Sequence, residues 1–571
     1  MNDRHRPATR GLVVTMLVAL IGAACGSRKD ESAGARVDAL FAEWNKRDSP
    51  GCGVGVSRSG AIVFERGYGM ANVERAVPIS PSTVFDVASI AKQFTAMSVM
   101  LLAERGRLSL DDEIWKHLPE WANRQDRITI RHLLAHTAGL RDVFLLTELA
   151  APPAAGTDMN DRLLSILSHQ RGLNFTPGTE FSYNNGGYNL LGGLVKRLSG
   201  QPLREFARVN IFRPLGMTHT SFTGGRGTID PAHAVGYHQD EGGPHVAREG
   251  GVDSSGIVGN AGLFMTVGDL LIWEHNFDDP RVGDPRLLRE MQTPVTLSGG
   301  RTSPYGLGLE VGHDRGLETV GHGGGDRGIA TYVIRYPERR LAVAVLCNSD
   351  ALGFTVGALA RQVAALYLDD VGDGSAPASG SPRVALPLSE LESKAGLYRN
   401  LNTETYGRVY VRDGRLMASA DAGDGPGDSV ELTPTGPNRF VIAGTPVVAE
   451  FVPESLGQAQ QVRVTEIGST PQVSERVPTG YTPTAVELRA LSGRYASADL
   501  DVTYTVLVRG AGVVIQIPGR DEIPLEPILR DGFYGSLVDL IRFTRNPKGV
   551  VSRLVINRAT VRNLSFERVG P

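Results

Sequence analysis

Several features are scarce in this chain, and each scarcity narrows what the protein can be. Its 571 residues contain three cysteines, so at most one disulfide can form within the chain. The 59 basic and 62 acidic side chains nearly cancel to a formal charge of −3, which provides no basic field for nucleic acid. Glycine and proline (69 and 33 residues) fall short of a low-complexity composition, and 41% hydrophobic residues suffice for packed cores. At roughly 150 residues per domain, we expect a globular protein of two to four domains.

The amino terminus lacks an apolar run long enough to cross a bilayer. Three arginines and a histidine in the first ten residues precede 14 mostly apolar residues, Gly11 to Ala24, where a span needs roughly 20. This layout predicts a bacterial export signal over residues 1–25. The small residues before Cys25 resemble a lipoprotein processing site, although Gly22 stands where a larger aliphatic residue is usual. We expect lipidation of Cys25 and a place in the cell envelope, facing the periplasm or the exterior. Simple secretion and an uncleaved anchor are the alternatives.

Residues 33–370 form the first predicted domain. Short apolar runs bounded by turn residues predict strands over residues 53–64 and 331–346, and the region between them is expected to be mostly helices and loops. A long helix is predicted over about residues 90–105. Strands at both ends of a helical middle favour one sheet that is closed by the two ends of the domain.

The chain beyond this domain contains an internal repeat. Residues 371–383 are mainly glycine, serine, alanine, proline and aspartate, a composition that predicts a flexible linker. The pattern of residues 384–475 returns in residues 484–571, first at an offset of 97, as in Tyr398 and Tyr495, and further on at an offset of 92. Short alternating apolar runs with Asp-Gly and Lys-Gly turns indicate two antiparallel β modules, either barrels or sandwiches.

The first residues that suggest chemistry are Ser89 and Lys92, at the start of the predicted long helix. Positions i and i+3 share a helix face, so the hydroxyl and the amine can meet. A serine hydroxyl needs a neighbouring base to become a nucleophile. Lysine can be that base only where burial lowers its pKa enough to leave a neutral amine. The helix N-terminus also directs backbone N–H groups toward an oxyanion that forms at Ser89.

Ser-x-x-Lys alone is a common accident, so further motifs decide its meaning. Tyr183 and Asn185 offer a phenol and an amide two positions apart, in a turn-like context. The run Gly321-His322-Gly323-Gly324-Gly325 precedes the later strand pair. Glycines there let a substrate backbone lie close to the strand edge, which side chains would prevent.

Together these motifs resemble the serine β-lactamase and penicillin-binding superfamily. They resemble most the branch that contains class C β-lactamases, D-alanyl-D-alanine carboxypeptidases, D-aminopeptidases and related esterases. Tyr183 to Asn185 match the Tyr-x-Asn motif of that branch, and His322 to Gly324 match its His-x-Gly variant of the third motif. Two further stretches resemble characteristic segments of the branch, residues 128–140 and 259–263.

The resemblance covers roughly residues 36–367 and implies an α+β fold. A β-lactamase-like catalytic domain, with an antiparallel sheet beside a helical cluster, would precede the two antiparallel β-barrel or sandwich modules. That overall layout is similar to D-aminopeptidases of the superfamily. In such a sheet the strand near Cys52 would run beside the strand that ends at Cys347, so the two cysteines can pair; two separate buried thiols are the alternative.

The resemblance also implies roles for the residues of the site. Ser89 would attack the carbonyl and Lys92 would take its proton, while Tyr183 would relay a proton to the leaving group. Asn185 would orient Lys92 or bind a substrate amide. His322 would polarise or orient the site. Gly324 and Gly325 would lie at the strand edge beside the substrate. The backbone N–H groups of Ser89 and Gly325 would form the oxyanion hole. No metal or other cofactor is implied.

The histidine at position 322 is the main departure from the superfamily, because it removes a fixed positive charge that often receives a substrate carboxylate. Arg327 could bind that carboxylate instead; a solvated loop arginine is the alternative. Penicillin turnover is thereby less expected than peptide or ester hydrolysis. We therefore expect an exported serine hydrolase that acts on a small peptide containing a D-amino acid, as a D-aminopeptidase or a D-Ala-D-Ala carboxypeptidase does.

Other functions compete with this interpretation. An esterase or a β-lactamase would use the same residues. A non-catalytic surface protein could bind cell-wall peptide, but binding alone needs no activated nucleophile. His132 and His136 have the helical spacing of a zinc site, yet Leu133 stands where a metalloprotease needs its glutamate, so a structural role is favoured. Tyr188 and Asn189 are expected to be packing or turn residues.

Overall fold

The computed structural model describes most of the chain from residue 33 to residue 570. The described ranges are 33–119, 126–154, 157, 159–222, 233–239, 245–247, 258–352, 355–368, 384–419, 429–442, 447–454, 460–466, 472–478, 480–558 and 560–570. The predicted signal segment with Cys25 and the predicted linker at 371–383 lie outside these residues.

The helices concentrate in the first domain. In chain order they are α1 (residues 33–40), α2 (Ala91–Glu104), α3 (Ile130–Leu134), α4 (Val143–Leu149), α5 (Met159–His169), α6 (Asn185–Ser199), α7 (Leu203–Ala207), α8 (Arg213–Leu215), α9 (Val267–His275), α10 (Pro285–Met291), α11 (Thr355–Tyr367), α12 (Leu388–Glu392) and α13 (Ala485–Leu491). None of the helices in the described part of the chain has both the length and the apolar character that a membrane crossing requires.

The strands occur in the first domain and in two later groups. Those of the first domain are β1 (Cys52–Arg58), β2 (Ala61–Tyr68), β3 (Met70–Asn72), β4 (Val77–Pro78), β5 (Phe85–Asp86), β6 (Ser221–Phe222), β7 (Tyr237–His238), β8 (Val246–Ala247), β9 (Leu263–Met265), β10 (Glu310–Asp314), β11 (Leu317–Asp326), β12 (Ile329–Tyr336) and β13 (Leu341–Cys347). The first later group is β14 (Gly396–Asn400), β15 (Tyr406–Arg412), β16 (Arg415–Ser419), β17 (Ser429–Pro434), β18 (Arg439–Ile442), β19 (Val447–Val452), β20 (Gln461–Glu466) and β21 (Gln472–Val477). The second is β22 (Gly493–Ser497), β23 (Val502–Arg509), β24 (Gly512–Gln516), β25 (Ile523–Leu529), β26 (Gly532–Gly535), β27 (Asp539–Arg545), β28 (Val551–Arg558) and β29 (Val561–Gly570).

The central sheet of the first domain has six antiparallel strands in the order β10-β11-β12-β13-β1-β2. Strands from both ends of the domain therefore meet in one sheet. Strand β1 lies beside β13 with Cys52 opposite Cys347, and these two cysteines form a disulfide. The link joins two segments that are 295 residues apart in sequence.

Both faces of this sheet are covered because its strands are apolar on both sides. On one face Val54 and Val56 pack with α1 and α11. On the other face Gly55 lets α9 approach closely, since a Cβ at this position would come within 2.3 Å of the side chain of Val267. The helical cluster around α2 and α6 shares one hydrophobic core with α9 and this face of the sheet, and that core includes Phe94.

Each later group of strands closes into an eight-stranded antiparallel barrel. Positions matched by the sequence repeat make the same contacts in both barrels. The hydroxyl of Tyr398 donates to the carbonyl of Lys394 (2.8 Å), and that of Tyr495 donates to the carbonyl of Leu491 (2.7 Å). The two modules are therefore barrels, with an equivalent tyrosine at the start of each.

The second barrel packs directly against the first domain. Leu146 and Leu149 of α4 share a hydrophobic core with the barrel. Beside them, the buried guanidinium of Arg141 forms an ion pair with Asp499, with 2.5 Å between Nη1 and Oδ2. The loop that enters α4 is therefore enclosed between the first domain and the second barrel.

Candidate active site

Ser89 lies in a one-turn 3₁₀ helix, Ala88–Ile90, that leads directly into α2. The preceding residue, Ala88, has a left-handed backbone (φ 46°), and its N–H donates to Oδ1 of Asp86 at 2.9 Å. Such a conformation is costly for a residue with a Cβ and clusters at functional sites. The strained turn places the half-buried Ser89 at the amino end of α2.

Lys92 lies one turn further along and is fully buried. Its Nζ lies 3.0 Å from Oγ of Ser89, 2.9 Å from Oδ1 of Asn185 and 2.9 Å from the carbonyl oxygen of Asn260. Burial lowers the pKa of Lys92 well below its usual value, although the carboxylate of Asp142 acts in the opposite direction. A neutral amine has two N–H groups for the two carbonyl oxygens and one lone pair. In that form the Ser89 hydroxyl, 3.0 Å away, can donate to the lone pair, which is the arrangement of a general base.

Tyr183 completes this group of side chains. Its ring centroid lies 4.8 Å from Nζ of Lys92. Burial raises the pKa of Tyr183 above its usual value, the neighbouring Ser89 side chain lowers it, and the carboxylate of Glu310 raises it further. Tyr183 is therefore a neutral phenol that can donate a proton and receive one in return.

The start of α6 positions Tyr183 and Asn185. Asn184 caps this helix by accepting the N–H of Gly187 at 2.9 Å, and its own amide donates to the carbonyl of Leu140 at 2.9 Å. The backbone N–H of Asn185 lies near enough to the carboxylate of Asp142 to lower the pKa of that group, against the larger effect of burial. These contacts fix the loop before α6 against the loop before α4, so the amide of Asn185 is held toward Lys92.

The third motif lies on β11, where His322 is almost fully buried. Its Nδ1 lies 2.5 Å from the carbonyl oxygen of Gly323, which can only accept, so Nδ1 carries the proton. Its Nε2 therefore accepts from the hydroxyl of Tyr305 at 2.8 Å. Burial lowers the pKa of His322, against the opposing effect of the Glu310 carboxylate. The residue that replaces the usual lysine thus contributes no positive charge.

The glycines after His322 bring the strand close to the nucleophile. A Cβ on Gly324 would lie 2.3 Å from the carbonyl oxygen of Val87 and 3.3 Å from the backbone nitrogen of Ser89. Gly325, the next residue, is exposed and lies opposite Ala330 of β12. The strand and the Ser89 turn therefore lie side by side, as a two-amide oxyanion hole requires.

The structure gives the other residues noted in the sequence supporting contacts. His132 and Thr129 form a capping box at the start of α3, and Nδ1 of His136 accepts the backbone N–H of Asn184 at 3.1 Å. Tyr188 is buried and donates to the carbonyl of Leu134 at 2.7 Å. Asn189 donates to Oδ1 of Asn260 at 2.9 Å. Arg327 is exposed beyond the end of β11.

Three contributors were not assigned roles from the sequence. The backbone carbonyl of Asn260 accepts from Lys92. In the sequence, residues 259–263 resemble a family segment, but no residue of that segment suggests a role. Tyr305 fixes the tautomer of His322, and Glu310 lies beside the third motif; neither belongs to a recognisable pattern. All three reach the site through long-range packing, which short motifs do not encode.

A serine whose hydroxyl meets a buried neutral lysine and a phenol, beside a glycine-rich strand edge, defines a serine hydrolase that works through an acyl-enzyme. The Beta-lactamase family pattern matches residues 37–368. The chain therefore belongs to the Beta-lactamase family of serine hydrolases.

Individual relatives support this assignment. A D-aminopeptidase of Gluconobacter oxydans is 30% identical over 319 residues, a match that covers 56% of this chain and 59% of that enzyme. A D-aminopeptidase of Brucella anthropi is 28% identical over 369 residues, covering 64% of this chain and 68% of that enzyme. Among solved structures, the octameric penicillin-binding protein homologue from Pyrococcus abyssi aligns with a TM-score of 0.55 and 23% identity. That alignment spans 77% of this chain and 99% of the homologue. This last likeness concerns the fold alone.

Proposed function

We propose that this protein hydrolyses amides and peptides whose scissile carbonyl belongs to a D-amino acid, as a D-aminopeptidase does. The observation that carries the proposal is the fully buried Lys92 amine 3.0 Å from the Ser89 hydroxyl, with a pKa that burial lowers well below its usual value, because a serine hydroxyl needs such a base to act as a nucleophile. The choice of D-amino acid substrates rests on the two relatives, both of which are D-aminopeptidases.

The reaction follows from the contacts of the site. Oγ of Ser89 attacks the carbonyl carbon as its proton passes to Nζ of Lys92. The oxyanion then lies against the backbone N–H groups of Ser89 and Gly325. The proton reaches the leaving nitrogen through the phenol of Tyr183, the C–N bond breaks, and an ester on Ser89 remains. Water attacks this ester by the same proton path in reverse, releasing the D-amino acid and restoring Ser89.

Mass spectrometry of the intact protein tests this proposal. We expect an added acyl mass on Ser89 during turnover of D-alanine p-nitroanilide, and none with the L-enantiomer or in the Ser89→Ala variant. A covalent adduct with both enantiomers at equal rates would contradict the substrate class while leaving the hydrolase mechanism intact. Absence of any adduct and of any turnover across D-aminoacyl amides, esters and β-lactams would favour the non-catalytic binding protein.

We also propose that the protein is exported and anchored by a lipid on Cys25. The basic, then apolar, then small residues before Cys25 support this proposal, as does the disulfide between Cys52 and Cys347, because disulfides persist in oxidising compartments. Labelling with radioactive palmitate should mark the wild type in the membrane fraction and not Cys25→Ser. Equal labelling of the two would contradict the anchor.

A further inference from the structure

The outer edge of β11 is open where it passes the nucleophile. Strand β10 pairs with β11 only from Leu317 to Gly321, so the part of the strand that follows has β12 on one side and no strand of the described chain on the other. The N–H of Gly323 points to the open side, since it donates to Oε1 of Glu310 at 3.3 Å. Because alternate N–H groups of a strand point the same way, Gly325 faces this side too, about 6.8 Å along the edge.

Glu310 occupies this open edge without a cationic partner. One carboxylate oxygen accepts from Gly323, and the other accepts from the hydroxyl of Tyr332 at 3.3 Å. Arg361 approaches the same phenol, donating to its oxygen at 3.1 Å. Within the described ranges, no lysine or arginine nitrogen lies within 4.0 Å of the Glu310 carboxylate. The side chain is 43% exposed, so a ligand can reach it.

The groups around Glu310 leave its negative charge without a directly paired cation, because Arg361 reaches it only through the phenol of Tyr332. The nearest titratable nitrogen is Nδ1 of His322 at 4.0 Å, and the proton of that nitrogen is already donated to a carbonyl. Burial lowers the pKa of Lys92 well below its usual value, which favours the neutral amine. Glu310 also acts on the phenol of Tyr183, whose pKa it raises in addition to the larger effect of burial. The cleft therefore favours a cation beside the reacting carbonyl.

We propose that Glu310 is a specificity-determining residue that binds the free α-ammonium group of an aminoacyl substrate. The substrate carbonyl lies at Gly325, and the ammonium group is two bonds from the carbonyl carbon, so both groups fit the same stretch of strand edge. This inference rests on the proposed function for its aminoacyl substrate. It adds the residue that distinguishes a free amine from an acylated one.

Matched esters test this role apart from amide hydrolysis. We compare kcat/KM for D-alanine methyl ester and N-acetyl-D-alanine methyl ester in the full chain and in Glu310→Gln, which keeps an acceptor for Gly323. A hydrogen bond between charged groups predicts about a tenfold fall on the free amine in the variant, with little change on the acetylated ester. Glu318→Gln changes an exposed glutamate of β11 in the part of that strand that β10 covers, and it should leave both values unchanged.

Three outcomes would overturn the inference. Equal losses on the two esters would mean that Glu310 only supports the strand. Unchanged kcat/KM values on both esters would mean that the amine binds elsewhere. A gain on substrates with a carboxylate in the leaving group, without loss on the free amine, would make Glu310 a filter against anions. Failure of the proposed function is separate, because it appears as equal rates on D- and L-alanine methyl esters in the wild type.

Discussion

Replacing Arg141 by methionine tests how strongly the second barrel is bound beside the active site. The guanidinium donates to Asp499 (2.5 Å), to the carbonyls of Arg562 and Asn563 (2.9 Å each) and to Gln170 (3.1 Å). The side chains of Arg141 and Asp499 are 3% and 13% exposed, so the pair is buried. Removing one partner of a buried pair leaves the other charge without compensation and costs about 3–5 kcal/mol.

This cost should appear as local opening of the interface. At 1.36 kcal/mol for each tenfold change, about 3–5 kcal/mol corresponds to amide exchange that is roughly two to three and a half orders of magnitude faster. We expect this change in peptides that cover residues 139–150 and 560–567, measured by hydrogen exchange and mass spectrometry. The Arg141→Met, Asp499→Asn double variant should recover part of the loss, because it removes the uncompensated carboxylate.

A second ion pair of the same barrel supplies the control. Arg553 and Glu567 are 2.7 Å apart but 49% and 58% exposed, and surface pairs contribute at most about 1 kcal/mol. Arg553→Met should therefore change exchange by less than about fivefold. Equal effects of Arg141→Met and Arg553→Met on amide exchange would refute the reasoning. So would a double variant whose change in exchange is simply the sum of the changes in Arg141→Met and Asp499→Asn.

Two further predictions concern the catalytic residues directly. Because Lys92 acts as a neutral amine, kcat/KM for a neutral ester should fall as the pH decreases through the pKa of Lys92. Asp142→Asn removes a charge that raises this pKa, so the acid limb should move to lower pH; a shift to higher pH would contradict the assignment. Gly324→Ala places a methyl group against backbone atoms beside the nucleophile and should lower kcat/KM at least a hundredfold. Gly193→Ala, where a Cβ meets nothing within 4 Å, should retain full activity, and similar losses in both would contradict the close-approach argument.

Much of the fold follows from the sequence because its signals are local. A serine and a lysine three residues apart at the start of a helix are brought together by local geometry, and Oγ of Ser89 lies 3.0 Å from Nζ of Lys92. The repeat likewise predicts two similar β modules, since Tyr398 and Tyr495 each bond a carbonyl four residues earlier. What the repeat leaves open is closure: sandwiches and barrels share the same alternating pattern, and only strand pairing across each module decides between them.

The sequence by itself identified the candidate nucleophile, its candidate base and the α+β fold of the first domain, because these predictions depend on residue type and short spacing. Only the tertiary structure decided what surrounds them. The carbonyl of Asn260 is 168 residues from Lys92, and Arg141 meets the second barrel across 358 residues. The place of Glu310 at an open strand edge depends on where β10 stops pairing with β11. Such contacts depend on how whole elements pack, and no periodicity within a short segment encodes that packing.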